Sequence, residues 1–285
     1  MSSDKKKIRP EQKQNKPGKE NRLIPKPDYI PKYPEAEKLK DKVAIITGAD
    51  SGIGRATAVL FASQGADVLV AHLSETEDAK ETKKEVEGYG RRCIIIKADL
   101  SKEAHCKKVV NRAVREWGKI DILINNAATH YEQKRLKDIT TEQLIKTFET
   151  NFYSVFWMTK FSLPYLKRNS CIINTTSVTA YRGSDHLMDY AATKGAILAF
   201  TRSLSVNLVK KGIRVNAVAP GPIWTPLIAS TLTKKGVSEF GSDTPMGRAG
   251  ETNEVATCFL FLACEDSSYI TGQVLHPNGG EIING

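Results

Sequence analysis

A phenol and an ammonium lie four residues apart in the segment DYAATKGA, residues 189–196. If this segment opens a helix, Tyr190 and Lys194 project from the same face about one turn apart. Such a pair could act as an acid–base unit, in which the phenol moves a proton and the nearby cation stabilises the phenolate. Surface pairs of this kind are also common, so the chemical interpretation requires that other segments converge on the same place.

The elements that would position this pair alternate along the chain from residue 43 onward. Seven short β-branched runs are interleaved with six helical patterns, and the runs are apolar throughout, as strands buried on both sides should be. This alternation predicts an α/β fold: a single doubly wound domain of the Rossmann type, whose seven-stranded parallel sheet carries helices on both faces. The helices are expected at 52–64, 76–88, 102–117, 141–167, around Tyr190 and at 252–264.

The first of these runs ends in a glycine-rich turn, TGADSGIGRA, at residues 47–56. Ligands of doubly wound sheets gather at the carboxyl ends of the strands. Gly48, Gly52 and Gly54 would give a tight turn followed by a helix start, whose N–H groups and dipole favour a phosphate. A purely structural turn is the alternative, but the position between a buried strand and an amphipathic helix favours a dinucleotide site.

The positive charge of the chain is concentrated at its beginning. The net charge is +10 over 285 residues, and residues 1–42 contribute +6 of it, together with six of the twelve prolines. We therefore divide the chain into a basic Pro/Lys-rich extension, 1–42, and a folded body, 43–285. Residues 1 to about 20 are expected to be disordered, and residues 24–34 to form an extended strap over the body. Packing of the extension against a neighbouring subunit stays open.

Several classes of function are disfavoured by composition. Prolines interrupt any basic helix in the extension and no aromatic platform accompanies its lysines, so no nucleic-acid or membrane partner is expected. No signal peptide or spanning segment is visible. The five scattered cysteines are typical of reduced thiols in a cytoplasmic protein, and the histidines form no cluster that predicts a metal site.

Five motifs in order give the chain a family resemblance. The turn reads TGxxxGIG, NNAA follows at 125–128, Ser177 precedes Tyr190 by thirteen residues, and PGPIWTP occupies 220–226. With Asn151 and Lys194, these motifs resemble the classical short-chain dehydrogenase/reductase family over residues 43–280. One departure is that the usual NNAG reads NNAA. The long N-terminal extension resembles that of bacterial general-stress oxidoreductases within the family, a less specific match.

The resemblance implies an NAD(P)-dependent oxidoreductase that interconverts a carbonyl group, in an aldehyde, ketone or sugar, and an alcohol. Its catalytic residues would be Asn151, Ser177, Tyr190 and Lys194. Tyr190 would donate the proton and Ser177 would hydrogen-bond the substrate oxygen. A cation about 4 Å away could lower the phenol pKa by up to about three units. Asn151 would hold a helix bend and a water molecule; the alternative is a helix-interior amide satisfied by the backbone.

The resemblance also implies a site for the cofactor. Its residues would be Gly48, Ser51, Gly52, Ile53, Gly54, His72, Leu73, Ser74, Asp99, Leu100, Asn125, Ala127, Tyr190, Lys194, Pro220, Gly221, Ile223 and Thr225. The acidic residue that usually ends the second strand and binds the ribose diol is missing, and His72 stands there. No Arg or Lys replaces it directly, although Ser74 and Arg55 are near in sequence. NAD and NADP both stay open, with a slight preference for NADP.

Substrate recognition would fall to the loop at 220–250, whose large apolar residues could equally cover the core or a subunit contact. They are Trp224, Leu227, Ile228, Phe240 and Met246. The resemblance suggests a homotetramer. Three alternatives remain: a dehydrogenase working mainly in the oxidative direction, a dinucleotide-binding sensor or scaffold without turnover, and a nucleic-acid binder driven by the basic extension.

Overall fold

The computed structural model describes residues 7–16, 18–30 and 36–283. Within them, seven strands pair in parallel to form one sheet, in the order β3-β2-β1-β4-β5-β6-β7. The prediction of a seven-stranded parallel sheet is confirmed. The strands are β1 (Val43–Thr47), β2 (Asp67–His72), β3 (Cys93–Lys97), β4 (Ile122–Asn125), β5 (Cys171–Thr175), β6 (Arg214–Val218) and β7 (Val274–Leu275).

Helices cover both faces of this sheet, which is why its central strands are buried throughout. In the described residues they are α1 (Gly52–Ser63), α2 (Thr76–Gly88), α3 (Glu103–Trp117), α4 (Thr141–Phe148), α5 (Ser154–Ser162), α6 (Thr179–Arg182), α7 (Met188–Leu208), α8 (Pro226–Thr231), α9 (Lys234–Glu239) and α10 (Thr252–Ala263). Buried side chains of α1 and α10 form the core on one face, and those of α3, α5 and α7 form the core on the other.

Two of the helix predictions need correction. The helix expected at 141–167 is broken by a π-helical turn, Glu149–Tyr153, which separates α4 from α5. Three short helices, α6, α8 and α9, were also missed, because each is too short for a periodic apolar pattern. Local signals for them do exist: Pro226 occupies the first position of α8, and the Thr233 hydroxyl caps α9 by accepting from the N–H of Gly236 at 3.1 Å.

The order of the strands reverses beside β1. The chain runs outward from β1 through β2 to β3, then returns to place β4 on the other side of β1 and continues to β7. At such a switch point the loops after neighbouring strands diverge and leave a crevice at their carboxyl ends. The glycine turn after β1 and the NNAA segment at the end of β4 lie next to each other at this switch point.

The described part of the extension lies on the body of the protein. The N–H groups of Ile8 and Arg9 donate to the carbonyl oxygen of Ser238, and the N–H of Gln14 donates to that of Ala229 at 2.7 Å. The expectation of disorder is therefore wrong for residues 7–16 and 18–20, because the extension finds partners in α8 and α9. Residues 1–6 lie outside the described part of the chain.

Further along, the extension forms the expected strap. Residues 24–30 have no helix or strand, and the carbonyl oxygen of Asp28 accepts from the N–H of Asn253 at 3.1 Å, at the start of α10. Leu23 is buried beside Trp224, and Tyr29 packs on α1 and α10. The rest of the predicted strap, residues 31–34, is outside the described residues. Among those that are described, no helix is both long and apolar enough to cross a bilayer.

Candidate active site

A cavity of about 550 Å³ lies at the carboxyl ends of the strands, where the order of the sheet reverses. Its walls come from the loops after β1, β2, β3, β4, β5 and β6, and also from α8 and the extension. The cavity is large enough for an extended ligand with an attached reactant. The sequence-predicted residues can therefore be judged by whether they border it.

The floor of the cavity brings together Ser177, Tyr190 and Lys194. Ser177 follows β5 by two residues, and Tyr190 and Lys194 lie one turn apart near the start of α7. The side chains of Ser177 and Tyr190 are neighbours there, and Ser177 acts on the pKa of the Tyr190 phenol. Lys194 is buried, and its Nζ lies 5.4 Å from the centroid of the Tyr190 ring. The predicted convergence of the three residues on one place is what the fold produces.

Burial dominates the protonation of this floor. Burial raises the pKa of Tyr190 to about 12, with the hydrogen bond from Ser177 acting in the opposite direction. Burial also lowers the pKa of Lys194 to about 7. Loss of hydration therefore sets the direction of the shift at Tyr190, and the Lys194 ammonium donates to the carbonyl oxygen of Thr175 at 2.7 Å. The lowering of the phenol pKa by Lys194 together with the positive nicotinamide ring stays a prediction.

Asn151 does not border the cavity but braces its wall. It lies in the π-helical turn between α4 and α5 and is fully buried. Its Oδ1 accepts from the N–H of Thr129, and its Nδ2 donates to the carbonyl oxygen of Thr129, both at 2.8 Å. The same Nδ2 lies 3.2 Å from Oγ1 of Thr193, next to Lys194 in α7. The amide thus ties the segment after β4 to the catalytic helix.

The glycine turn approaches the neighbouring strands closely. Gly48 has a φ of +63°, and a Cβ there would lie 3.0 Å from Cα of Ala127. A Cβ at Gly54 would collide with the carbonyl oxygen of Gly48, which explains why Gly54 itself does not border the cavity. The prediction that the start of α1 offers its N–H groups to a phosphate needs one amendment, because the N–H of Gly52 donates to the carboxylate of Glu20.

Most residues predicted to bind a cofactor border the cavity. They are Gly48, Ser51, Gly52, Ile53, His72, Leu73, Ser74, Asp99, Leu100, Ala127, Tyr190, Lys194, Pro220, Gly221, Ile223 and Thr225. Besides Gly54, Asn125 is displaced: its side chain points into the sheet and donates to Oδ1 of Asn174 at 2.9 Å. The neighbouring Asn126 borders the cavity instead and donates to the carbonyl oxygens of Thr47 and Gly48.

Arg55 is unavailable to a ligand in the cavity. Its guanidinium is buried, 2.6 Å from the carboxylate of Glu20, and it also donates to the backbone carbonyl oxygens of Asp50 and Asp78. Burial raises the pKa of Glu20 to about 7 in spite of this arginine, and raises that of Asp50 to about 6. The group that could have met a ribose phosphate is thus committed to an ion pair with the extension.

The substrate loop is divided between the cavity and the core. Leu227, Ile228 and Phe240 border the cavity. Trp224 instead is fully buried under the extension, where its Nε1 donates to the carbonyl oxygen of Pro25 at 2.7 Å. Met246 is 68% exposed and does not border the cavity. The two interpretations of this loop, substrate contact and core cover, therefore each apply to part of it.

Sequence reasoning missed cavity residues from three parts of the chain. His130 and Tyr131 follow NNAA after one intervening residue, and their place after the fourth strand was a signal that could have identified them. Lys16 and Gly18 come from the extension, where no periodic pattern or motif marks them. Lys146 reaches the cavity from α4. These residues form the side of the cavity beyond Tyr190, whose ring centroid is 5.4 Å from that of His130.

The cavity is suited to a dinucleotide. The close approach at Gly48 and Gly54 leaves no room for side chains beside the glycine turn. The Nδ1 atom of His72, at the end of β2, is buried and has no hydrogen-bond partner in the structure, so a ligand could satisfy it. Among the described residues, no group of three His, Cys, Asp or Glu side chains could hold a metal ion.

Comparison with known proteins agrees with this geometry. A family model described as enoyl-(acyl carrier protein) reductase matches residues 48–281. The chain is 54% identical over 286 residues, all of both chains, to the uncharacterized oxidoreductase YhxC of Bacillus subtilis (strain 168). It is 50% identical over 282 residues to the chloroplastic NADPH-dependent aldehyde reductase 1 of Arabidopsis thaliana, covering 96% of this chain and 98% of that one.

Among solved structures, a short chain dehydrogenase from Burkholderia cenocepacia J2315 in complex with NADP superposes with a TM-score of 0.78. It is 29% identical and covers 85% of this chain and 98% of its own length. The part of the present chain left outside that match is about the size of the extension.

Proposed function

This chain belongs to the classical short-chain dehydrogenase/reductase family and is an NAD(P)-dependent oxidoreductase. From that premise we propose that it reduces an aldehyde, ketone or sugar carbonyl to the alcohol at the floor of the cavity, with Tyr190 as the proton donor. The observation that supports this most strongly is the convergence of Ser177, Tyr190 and the buried ammonium of Lys194 on the floor of the cavity.

Each floor residue has a separate task in this reaction. When bound, the reduced nicotinamide supplies the hydride that the carbonyl carbon accepts. Ser177 Oγ donates to the carbonyl oxygen and fixes its direction. The O–H bond of Tyr190 breaks as its proton passes to that oxygen, which becomes the hydroxyl of the product. Lys194 places a positive charge beneath the phenolate that remains, and a proton from solvent then restores the phenol.

The protonation of the floor suits the donation of a proton by Tyr190. Because burial raises the pKa of Tyr190 to about 12, the phenol is protonated at neutral pH, which is the form that reduction needs. Oxidation of an alcohol needs the phenolate, which is scarce under the same conditions. Burial keeps the pKa of Lys194 near 7, so small changes in the charge or hydration around its ammonium change how often it is protonated at neutral pH.

We propose NADPH as the preferred cofactor. The end of β2 offers His72 and Ser74 in place of a carboxylate, and Glu75, the acid nearest to this end, is paired with Lys19 of the extension at 3.3 Å. This pairing weakens the repulsion that a ribose phosphate would meet. The similarity to an NADPH-dependent aldehyde reductase supports the same choice.

We also propose that the protein works as a homotetramer in the cytoplasm. Apolar side chains of α4, the π-helical turn and α5 remain between 42% and 51% exposed, which supports a contact between subunits. They are Leu144, Ile145, Tyr153 and Phe156. All five cysteines are free thiols, which supports a reducing compartment. Sedimentation of the purified protein would check the assembly.

The test is the oxidation of NADPH and NADH by the purified protein with a panel of aldehydes, ketones and sugars, and with a trans-2-enoyl thioester. We expect turnover of at least one carbonyl class, and higher kcat/KM with NADPH. If the protein binds NADPH but turns over no carbonyl substrate in either direction, the proposed activity is refuted. Reduction of the enoyl thioester alone would move the reaction to a carbon–carbon double bond.

A further inference from the structure

Residues 13–16 and 18–20 of the extension cross the mouth of the cavity. Lys13 Nζ donates to the carbonyl oxygens of Thr231 and Leu232, next to α8. Gly18 packs so closely on Pro226 that a Cβ would collide with its carbonyl oxygen. Glu20 then joins Arg55 and the start of α1. The extension is therefore a wall of the cavity, joined to the rest of the protein on both sides.

This wall places an ammonium group beside the floor. Lys16 Nζ donates to the carbonyl oxygen of His130, and it lies 3.5 Å from the centroid of the Tyr131 ring. Lys146 of α4 places its own Nζ 5.8 Å from the centroid of the same ring. Two cations thus approach one aromatic side chain, and all three residues border the cavity.

The charges around Lys16 are not balanced by a nearby carboxylate. Loss of hydration, together with the cations of Lys13 and Lys146, lowers the pKa of Lys16 to about 8 against weaker effects of Asp189 and Glu132. The carboxylate of Asp189 already accepts from the side chains of Gln143 and Thr147 and from a backbone N–H. An anion from outside would compensate the cations better than either residue does.

We propose that Lys16 and Lys146 form a subsite for an anionic group of the substrate, so that the enzyme prefers carbonyl compounds that carry a carboxylate or a phosphate. This proposal rests on the proposed carbonyl reduction and specifies its substrate class. The His130 ring adjoins the Tyr190 ring, and the His130 carbonyl receives Lys16, so one residue separates the reacting phenol from the cation. The anionic group would accordingly be separated from the carbonyl carbon by a short carbon chain.

The preference can be measured with matched pairs of aldehydes. One pair is 4-oxobutanoate and butanal, which differ in the carboxylate; the other is glyceraldehyde 3-phosphate and glyceraldehyde. We expect the wild type to have a higher kcat/KM for the anionic member of at least one pair, by about tenfold or more, as for a charge-assisted hydrogen bond. The two pairs distinguish a carboxylate from a phosphate as the natural group.

Single substitutions then assign the preference to residues. Lys16→Ala and Lys146→Ala should each raise KM for the anionic aldehyde by about tenfold and leave its kcat and all constants for the neutral aldehyde unchanged. Lys16→Arg should retain most of the preference. The matched control is Lys210→Ala, which removes the same charge from the turn before β6, at the end of the sheet away from the cavity. It should leave the kinetic constants of both aldehydes unchanged.

A second readout separates this proposal from the proposed function. Binding of 4-hydroxybutanoate and of butan-1-ol to the NADP⁺-loaded protein can be measured by calorimetry, without turnover. Tighter binding of the anion, lost in Lys16→Ala, would support the subsite even if no aldehyde were reduced. Equal kcat/KM for charged and neutral aldehydes, or a preference that survives both lysine substitutions, would overturn the subsite while leaving the reductase activity intact.

Discussion

The floor of the cavity and the wall formed by the extension are built in different ways. Ser177, Tyr190 and Lys194 are fixed by a central strand of the sheet and by the longest described helix, and Lys194 hydrogen-bonds to nearby backbone. The extension has no strand or α-helix in its described residues and depends on separate contacts with α1, α8 and α10. The floor suits a reaction in which the reacting groups must keep their positions closely, whereas the wall suits selection among substrates.

Both regions bury a charge, but they compensate it differently. Lys194 has no carboxylate partner among the described residues and donates to a carbonyl oxygen, whereas Glu20 is paired with Arg55. Burial moves both pKa values to about 7, from above for the lysine and from below for the glutamate. The two regions should therefore respond to substitution and to pH in distinguishable ways.

The largest expected effect concerns the floor. Lys194→Met should lower kcat by about 10²- to 10⁴-fold, because the phenolate formed in the reaction loses its neighbouring cation. Steady-state kinetics with the best aldehyde of the panel would measure it, and thermal unfolding would show that the variant is folded. Turnover at the wild-type rate would mean that the ammonium takes no part in the reaction.

The next largest effect concerns the wall. Arg55→Met should destabilise the protein by about 3–5 kcal/mol, because Glu20 loses the cation that compensates its burial. Chemical denaturation measures this change. The double variant Glu20→Gln/Arg55→Met should recover much of the loss, since no unpaired charge remains at that position. Additive effects of the two substitutions would show that the pair is not coupled.

The pH dependence of stability should have opposite signs in the two regions. Lys194 binds its proton less tightly in the folded protein, so its contribution makes stability rise with pH between about 7 and 10.5. Glu20 binds its proton more tightly when folded, so its contribution makes stability fall with rising pH between about 4.5 and 7. The free energy of unfolding against pH, for wild type, Lys194→Met and Glu20→Gln, measures each slope by difference. Parallel curves would contradict the pKa shifts.

The smallest effect tests the attachment of the strap. Trp224→Phe removes the hydrogen bond to the carbonyl oxygen of Pro25 and should cost about 1 kcal/mol, with faster proteolysis of the extension. Met246→Leu, an exposed change in the same loop, is the control and should alter neither property. An unchanged cleavage rate in Trp224→Phe would place the attachment elsewhere.

The sheet and the floor could be predicted from the sequence because short apolar runs mark the strands and motifs in a fixed order along the chain mark the floor. Apolar β-branched runs marked each strand, and the family resemblance, which includes the thirteen-residue interval from Ser177 to Tyr190, implied that these two residues meet. The break at Asn151 was implied by resemblance only, as a helix bend that this residue would hold. Trp224 and Leu227 are three residues apart in one loop, and only tertiary contacts decide that the first is core and the second lines the cavity.

The wall could not be predicted, for a physical reason. Its order comes from contacts that span more than a hundred residues along the chain, such as Lys16 with His130 and Gln14 with Ala229. A composition rich in proline and lysine predicts disorder when such partners are ignored. The effect of burial on the pKa of Tyr190 was missed for a related reason: the spacing to Lys194 gives a neighbouring charge, but not the loss of hydration that raises the phenol pKa.

The central claim is that Tyr190 donates the proton in carbonyl reduction. It is tested most directly by the rate of NADPH oxidation with a saturating aldehyde, for wild type and Tyr190→Phe, alongside the Kd of each protein for NADPH. We expect kcat to fall by about 10²- to 10⁴-fold in the variant, with Kd nearly unchanged because the ring remains. A variant that reduces the aldehyde at the wild-type rate would contradict the assignment.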